Sequence, residues 1–170
     1  VELGVDLEQA IEGLRAWAPV KGRGVREVVS LSNGGSLELL DDSYNANPTS
    51  MAAALDVLAA AKGARRIAFI GDMKELGPDE MQMHAALADI DAIASVDQVH
   101  CIGPLMQALH HALPEDKRGR WSETSHDMAC HLPELIRDGD VVLAKGSLSM
   151  ALAHIVDGLR KLGQGSAPEA

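Results

Sequence analysis

The stretch Leu37-Glu-Leu-Leu-Asp-Asp-Ser-Tyr-Asn-Ala-Asn-Pro-Thr-Ser-Met51 constrains this chain more than any other. Its apolar start, Leu37, Leu39 and Leu40, reads as a strand. The small or polar residues Asp41 to Asn47 follow and include the only tyrosine, Tyr44. Pro48 closes the loop, and Met51 to Ala61 is rich in strong helix formers. A polar loop between the C-terminal end of a strand and the start of a helix is where open α/β sheets bind ligands. Free helix N–H groups and polar side chains converge there. Asp41 and Asp42 can accept from ribose hydroxyls or hold a magnesium shell, and Asn45 and Asn47 can both donate and accept. Tyr44 can stack on a base or cover the edge of the core. The same residue types dominate plain turns, so a simple link between strand and helix is the alternative.

Around this stretch, strand and helix patterns alternate. Val28, Val29 and Leu31, then Asn33-Gly-Gly-Ser36, then Leu37 to Leu40 predict a hairpin turned at Asn-Gly. Further strands are expected at 66–71, 98–103, 118–122 and 140–144. Helices are expected at 48–61, 79–93, 104–113, 125–137 and 149–162. In the second of these Met81, Ala85, Leu87 and Ile90 are the inward positions, and Ser125 is the cap of the fourth. The alternation predicts an α/β domain of three layers, with a mostly parallel sheet of about six strands, an antiparallel edge hairpin and helices on both faces.

A chain of 170 residues is long enough to bury one core without staples. Only 2% of it is aromatic, so that core is built from Ala, Leu, Val, Ile and Met. No apolar run approaches the roughly 18 residues needed to span a bilayer, and no signal peptide is recognisable at the start. Cys101 and Cys130 sit in apolar segments and suggest a reducing compartment. A formal charge of -10 argues against a general nucleic-acid partner. The expectation is a soluble, cytoplasmic domain.

The start of the chain is abrupt. Leu7, Ile11 and Leu14 set a helical pattern that ends near Trp17-Ala-Pro19, followed by Val20-Lys-Gly-Arg-Gly24. Residues 1–24 therefore read as the end of a preceding domain and a hinge, 25–162 as the main domain, and 163–170 as a frayed tail. Gly-x-x-x-x-Gly-Lys-Ser/Thr is missing from the sequence, so this piece is not expected to turn over ATP alone.

Two more loops follow strands at the ligand edge. Gly71-Asp-Met-Lys-Glu-Leu-Gly77 combines close-turning glycines with a mixed-charge rim. Lys145-Gly-Ser-Leu-Ser-Met150 offers an ammonium, the hydroxyls of Ser147 and Ser149 and the partial positive charge of the last helix, which is expected to open there, a set that suits a carboxylate or phosphate. The plain alternative is a helix cap with a solvated lysine. His126, Cys130 and His131, like His110-His111, lack paired metal-ligand spacing, so no metal site is expected.

The string Asp-Asp-Ser-Tyr-Asn-Ala-Asn-Pro-x-Ser-Met resembles the opening of the C-terminal domain of the Mur ligases, amide ligases of peptidoglycan synthesis, and most of all their D-alanyl-D-alanine-adding branch. Gly-Asp-Met-x-Glu-Leu-Gly with His84, the Lys-Gly-Ser stretch and the Lys-Gly-Arg hinge agree with it in order along nearly the whole chain. The resemblance implies a Rossmann-like domain closing on a central ATPase domain and an N-terminal nucleotide-sugar domain. It implies ATP contacts from Arg23, Asp42, Tyr44 and Asn45, and substrate contacts from Asn47, Lys145, Ser147 and Ser149. No catalytic residue is implied in this piece. ATP and Mg2+ would be held mainly by the central domain, and the partners would be UDP-N-acetylmuramoyl tripeptide and D-alanyl-D-alanine in a bacterial cytoplasm. The chain departs from the commonest pattern in having Leu148 where an arginine follows Lys-Gly-Ser, and Leu152-Ala153 where a Met-Glu pair follows. A ligase adding another amino acid and a non-catalytic α/β binding module are the alternatives.

Overall fold

The computed structural model describes residues 6–15 and 20–163. The expected end of the first helix at Trp17-Ala-Pro19 and the tail beyond 163 lie outside them. Six strands, β1 (Val25–Ser30), β2 (Ser36–Asp42), β3 (Arg65–Gly71), β4 (Gln98–Ile102), β5 (Arg118–Ser122) and β6 (Asp140–Lys145), form one sheet in the order β1-β2-β6-β3-β4-β5. β1 and β2 are antiparallel, and every other pair is parallel. The helices are α1 (Leu7–Arg15), α2 (Pro48–Ala60), α3 (Glu80–Ala85), α4 (Gln107–Ala112), α5 (Ser125–Ala129), α6 (Leu132–Leu135) and α7 (Ala153–Lys161).

Side chains alternate across a strand, so a strand buried on both faces must be apolar at every position. The middle of β6 meets this requirement, Val141 and Leu143 facing one cluster and Val142 and Ala144 the other, while its buried charged ends are paired, Asp140 with Arg65 and Lys145 with Asp42. The first cluster is covered by α2 and α4 through Met51, Leu55, Leu58 and Leu109. The second is covered by α5, α6 and α7 through Met128, Leu132, Ile155 and Leu159. The three-layer α/β architecture and the antiparallel edge hairpin are as the sequence predicts. The hairpin turn is centred on Asn33-Gly34, with Gly34 at φ +87° and the Asn33 Oδ1 accepting from the Gly35 N–H at 3.0 Å.

Three long helices of the sequence reading are interrupted, each for a local reason. The 79–93 segment is α3 followed by two 3-10 turns, Ala86–Asp89 and Asp91–Ser95, with Ile90 extended between them. A straight helix would set Leu87 and Ala92 about 140° apart on its surface, whereas the break buries Leu87, Ala92 and Ile93 in one cluster. Met81 is 49% exposed, and His84 takes the inward place instead. The 125–137 segment splits into α5 and α6 because Pro133 has no N–H and would clash with the Ala129 carbonyl in a continuous helix. Its cap is Thr124, which accepts from the Asp127 N–H, and the Ser125 hydroxyl donates to the Ala151 carbonyl. The last helix starts at Ala153 and not at Ser149, because Ala151 turns left-handed at φ +49°. That turn delivers the fully buried Leu152 onto Gly71 and Gly146, at the ends of β3 and β6.

Two expected outcomes follow. A Cβ on Gly146 would lie 2.9 Å from Leu152 Cδ2 and 3.0 Å from Gly71 Cα. Gly146→Ala should therefore cost about 2 kcal/mol by overpacking and lower the melting temperature by about 5 °C; an unchanged melt would contradict this contact. His100 lies buried against Phe69, with ring centroids 4.7 Å apart, and its Nδ1 accepts from the Arg120 N–H at 2.8 Å. Burial, reinforced by the guanidinium groups of Arg65 and Arg120, lowers its pKa from 6.5 to about 4. The unfolded chain takes up this proton near pH 6.5 and the folded chain only near pH 4. Stability from this residue is thus complete above about pH 6.5 and falls with acidification, by about 3 kcal/mol at pH 4. Urea midpoints from pH 4 to 7 should show a steeper slope than those of His100→Asn; equal slopes would exclude the effect.

Candidate functional site

The C-terminal ends of β2, β3 and β6 emerge side by side, and their three loops form one edge of the sheet. Residues 22–24 join them through their backbone. The Tyr44 N–H donates to the Gly22 carbonyl and the Gly24 N–H to the Asp41 carbonyl, both at 2.9 Å. Gly22 and Gly24 adopt φ +76° and +77°, which glycine permits at no steric cost. The turn between them places the Arg23 guanidinium 4.0 Å from the centroid of the Tyr44 ring. A cation in that position is drawn to the negative face of the aromatic ring.

A cleft of about 270 Å³ lies beside this pair. Arg23, Asp42, Tyr44, Asn45, Asn47 and Lys145 line it, together with Gly22, Gly24, Ala46 and Ser50. Ser147 and Ser149 are outside it. Asp41 and Asp42 belong to β2 and not to the loop, so they face opposite sides of the sheet. Asp41 is buried, accepts from the Ser43 hydroxyl at 2.6 Å and stands 3.6 Å from Arg160 of α7. Asp42 reaches the cleft. Asn47 caps α2, with its side chain accepting from the Ser50 N–H at 2.8 Å while the Ser50 hydroxyl accepts from the Asn47 N–H at 3.1 Å. Asn45 accepts from the Ala46 N–H through its own side chain.

Lys145 is not a solvated lysine. Its side chain is 2% exposed, and its ammonium donates to Asp42 Oδ2 at 2.6 Å and to the Asn45 carbonyl at 2.9 Å. Only a three-residue 3-10 turn, Leu148–Met150, follows it, and α7 starts at Ala153, so the expected α-helix N-terminus does not stand beside its charge. Ser147 instead ties two loops together: its N–H donates to the Asp72 carbonyl, and its hydroxyl accepts from the Lys74 N–H at 2.9 Å. Ser149 is exposed. A second cavity, of about 190 Å³, lies on this side and is lined by Lys21, Ser43, Tyr44, Leu148, Ala151 and Leu152. Tyr44 is thus the wall between the two cavities.

The Gly71–Gly77 loop is held from inside. The buried Asp72 carboxylate accepts from the Met106 N–H and from the Lys74 ammonium. His84 accepts from the Met73 N–H at Nε2 and donates from Nδ1 to the Glu80 carbonyl. This loop is scaffold for the edge. Burial and the nearby Asp72 push the Cys101 thiol up to about 12, far from a nucleophile's range. Among the described residues no three His, Cys, Asp or Glu side chains group as a metal site, and no helix is long and apolar enough to cross a membrane.

Sequence reasoning missed Ser50, Gly22 and Gly24 as cleft walls and Ser43 as the partner of Asp41. Ser50 could have been found as the third residue after an Asn cap, and Ser43 as a hydroxyl two residues beyond an aspartate. As a chemical unit, the cleft combines an aromatic face, a guanidinium, a carboxylate fixed by a buried ammonium, and amide groups. Such a set fits a ligand carrying a flat ring, hydroxyls and anionic oxygens.

Comparison with known proteins places the chain in a family. A family model, Mur ligase, glutamate ligase domain, matches residues 26–148. The UDP-N-acetylmuramoyl-tripeptide–D-alanyl-D-alanine ligase of Escherichia coli is 32% identical over 165 residues, which cover 96% of this chain and 35% of that protein. The enzyme of the same name from Rickettsia prowazekii is 29% identical, covering 91% of this chain and 33% of that one. The solved structure of MurF from Acinetobacter baumannii superimposes with a TM-score of 0.79 at 28% identity, over 94% of this chain and 35% of that one. The chain spans about a third of the length of the relatives it matches. With the family model covering well over half of its residues, the chain belongs to the Mur ligase family and carries that family's C-terminal, glutamate ligase domain.

Proposed function

We propose that the chain is the closing domain of an ATP-dependent ligase that adds D-alanyl-D-alanine to UDP-N-acetylmuramoyl tripeptide in the bacterial cytoplasm. The observation that carries this reading is the cleft in which Asp42 and the 43–47 loop meet the hinge arginine, Arg23 over Tyr44. The names of the Escherichia coli and Rickettsia prowazekii relatives, both UDP-N-acetylmuramoyl-tripeptide–D-alanyl-D-alanine ligases, support the choice of acceptor. Residues 1–24 would be the end of the central domain and the hinge, 25–162 the closing domain, and 163–170 a tail.

In this reading the terminal carboxylate of the tripeptide takes a phosphoryl group from ATP, the amine of the dipeptide attacks the acyl phosphate, and a tetrahedral intermediate expels phosphate. The phosphoryl chemistry lies with the central domain. So does magnesium, which would neutralise charge on the phosphates: Asp42 already binds Lys145, and no three-donor group stands near it among the described residues. This domain's share is to bind and to exclude water. Arg23 offers a planar fork to phosphate oxygens, Tyr44 an aromatic face to the base, and Asp42 an acceptor to a ribose hydroxyl. Asn45 adds an amide to the same wall. The Leu148 side of Tyr44, with Ser147 and Ser149, is assigned to the acceptor peptide. Swinging shut about the hinge glycines would keep water from the acyl phosphate.

The test uses the complete gene product that contains these residues. ADP release should require D-alanyl-D-alanine in the presence of ATP, magnesium and UDP-N-acetylmuramoyl tripeptide, and residues 1–170 alone should release none. A well-folded protein showing no dipeptide-dependent release would overturn the reading, and dependence on a different amino acid would move it to another ligase of the family.

A further inference from the structure

Lys145 is the one buried lysine among the described residues, at the end of the most buried strand in the sheet. The parallel register of β2 and β6 sets it opposite Asp42. Resting on the nucleotide reading above, we propose that Lys145 is a positioning residue of the nucleotide cleft, acting on the ribose through Asp42, and not a ligand of the acceptor's carboxylate.

Three observations carry this. First, two of the three ammonium protons are already spent, on Asp42 Oδ2 at 2.6 Å and on the Asn45 carbonyl at 2.9 Å. Both partners belong to the wall that also presents Tyr44. Second, among the described residues the Lys145 ammonium is the only hydrogen-bond partner of the Asp42 side chain, which is 29% exposed and lines the cleft. A carboxylate held at one oxygen by a buried ammonium is fixed in place and leaves its other oxygen free to accept from a hydroxyl in the cleft. Third, the groups that would have to join Lys145 around an acceptor carboxylate are elsewhere. The Ser147 hydroxyl is bound to the Lys74 N–H, Ser149 is exposed, and neither lines the cleft that Lys145 lines.

The ligand class is therefore a ribose bearing free hydroxyls. Calorimetric titration of the complete gene product with ATP and with 2′,3′-dideoxy-ATP reads this contact directly. The wild type should prefer ATP by about 10-fold, the discrimination typical of a lost charge-assisted hydrogen bond. In Asp42→Asn, in Lys145→Met and in the double variant, the preference should fall to within about 2-fold, and the double variant should lose no more than either single change. A preserved preference in Lys145→Met would overturn the proposal, as would losses that multiply in the double variant. Should Lys145→Met fail to fold with its carboxylate partner unpaired, Lys145→Arg keeps a cation beside Asp42 in a different geometry and should also lose the preference, an unchanged preference there overturning the proposal. The KM for D-alanyl-D-alanine separates the two assignments: a rise in Lys145→Met with the ATP preference intact would return the lysine to the acceptor. A wild type without dipeptide-dependent turnover would defeat the ligase reading, while the ATP preference would still decide the role of Lys145.

Discussion

The structure depends on the parallel pairing of β6 with β2 on one side and β3 on the other. All six residues of β6 are buried, so the strand cannot slip by one residue without exchanging its two apolar faces. That fixed register brings Asp42 beside Lys145 and sets the Gly71 turn against Gly146. Three loops that are far apart in sequence must then leave the sheet at one edge. The cleft is a consequence of where the core strands end.

Charge at this edge is arranged against the background of the whole chain. The protein is acidic overall, at -10, yet the cleft wall carries a guanidinium and a buried ammonium, each with a defined partner. The Arg23–Tyr44 contact is exposed and modest. The Lys145–Asp42 pair is shielded, and removing one member would leave the other charge poorly solvated. On the far face of β2, Arg160 of α7 binds Glu27 and approaches Asp41, which in turn holds Ser43. The β2 terminus is therefore braced from both faces, and the 43–47 loop hangs from a rigid support.

The strands were legible in the sequence because burial on two faces demands continuous apolar runs, as in Ile67 to Ile70 and Val141 to Ala144. The helix bordering the cleft was legible for a different reason: Pro48 and the Asn47–Ser50 capping box are local signals. The other helices were overread. Pro133, Ala151 and Ile90 break them to serve tertiary packing, and periodicity alone does not register a residue that turns to bury its neighbour. At the site, Arg23, Asp42, Tyr44, Asn45, Asn47 and Lys145 converge as a set. Ser147 and Ser149 do not join them, since the helix expected to begin there begins four residues later. The burial of Lys145 had no sequence signal, because it follows from the strand on which the lysine sits and from the aspartate across the sheet.

The central claim is that the Asp41–Asn47 segment is one wall of a nucleotide site. A crystal structure of the complete gene product with ADP tests it most directly. The ribose should lie within hydrogen-bonding distance of Asp42 and the base against Tyr44 and Asn45, with Lys145 still bound to Asp42. ADP held entirely by the preceding domain, with no atom in contact with residues 41–47, would contradict it.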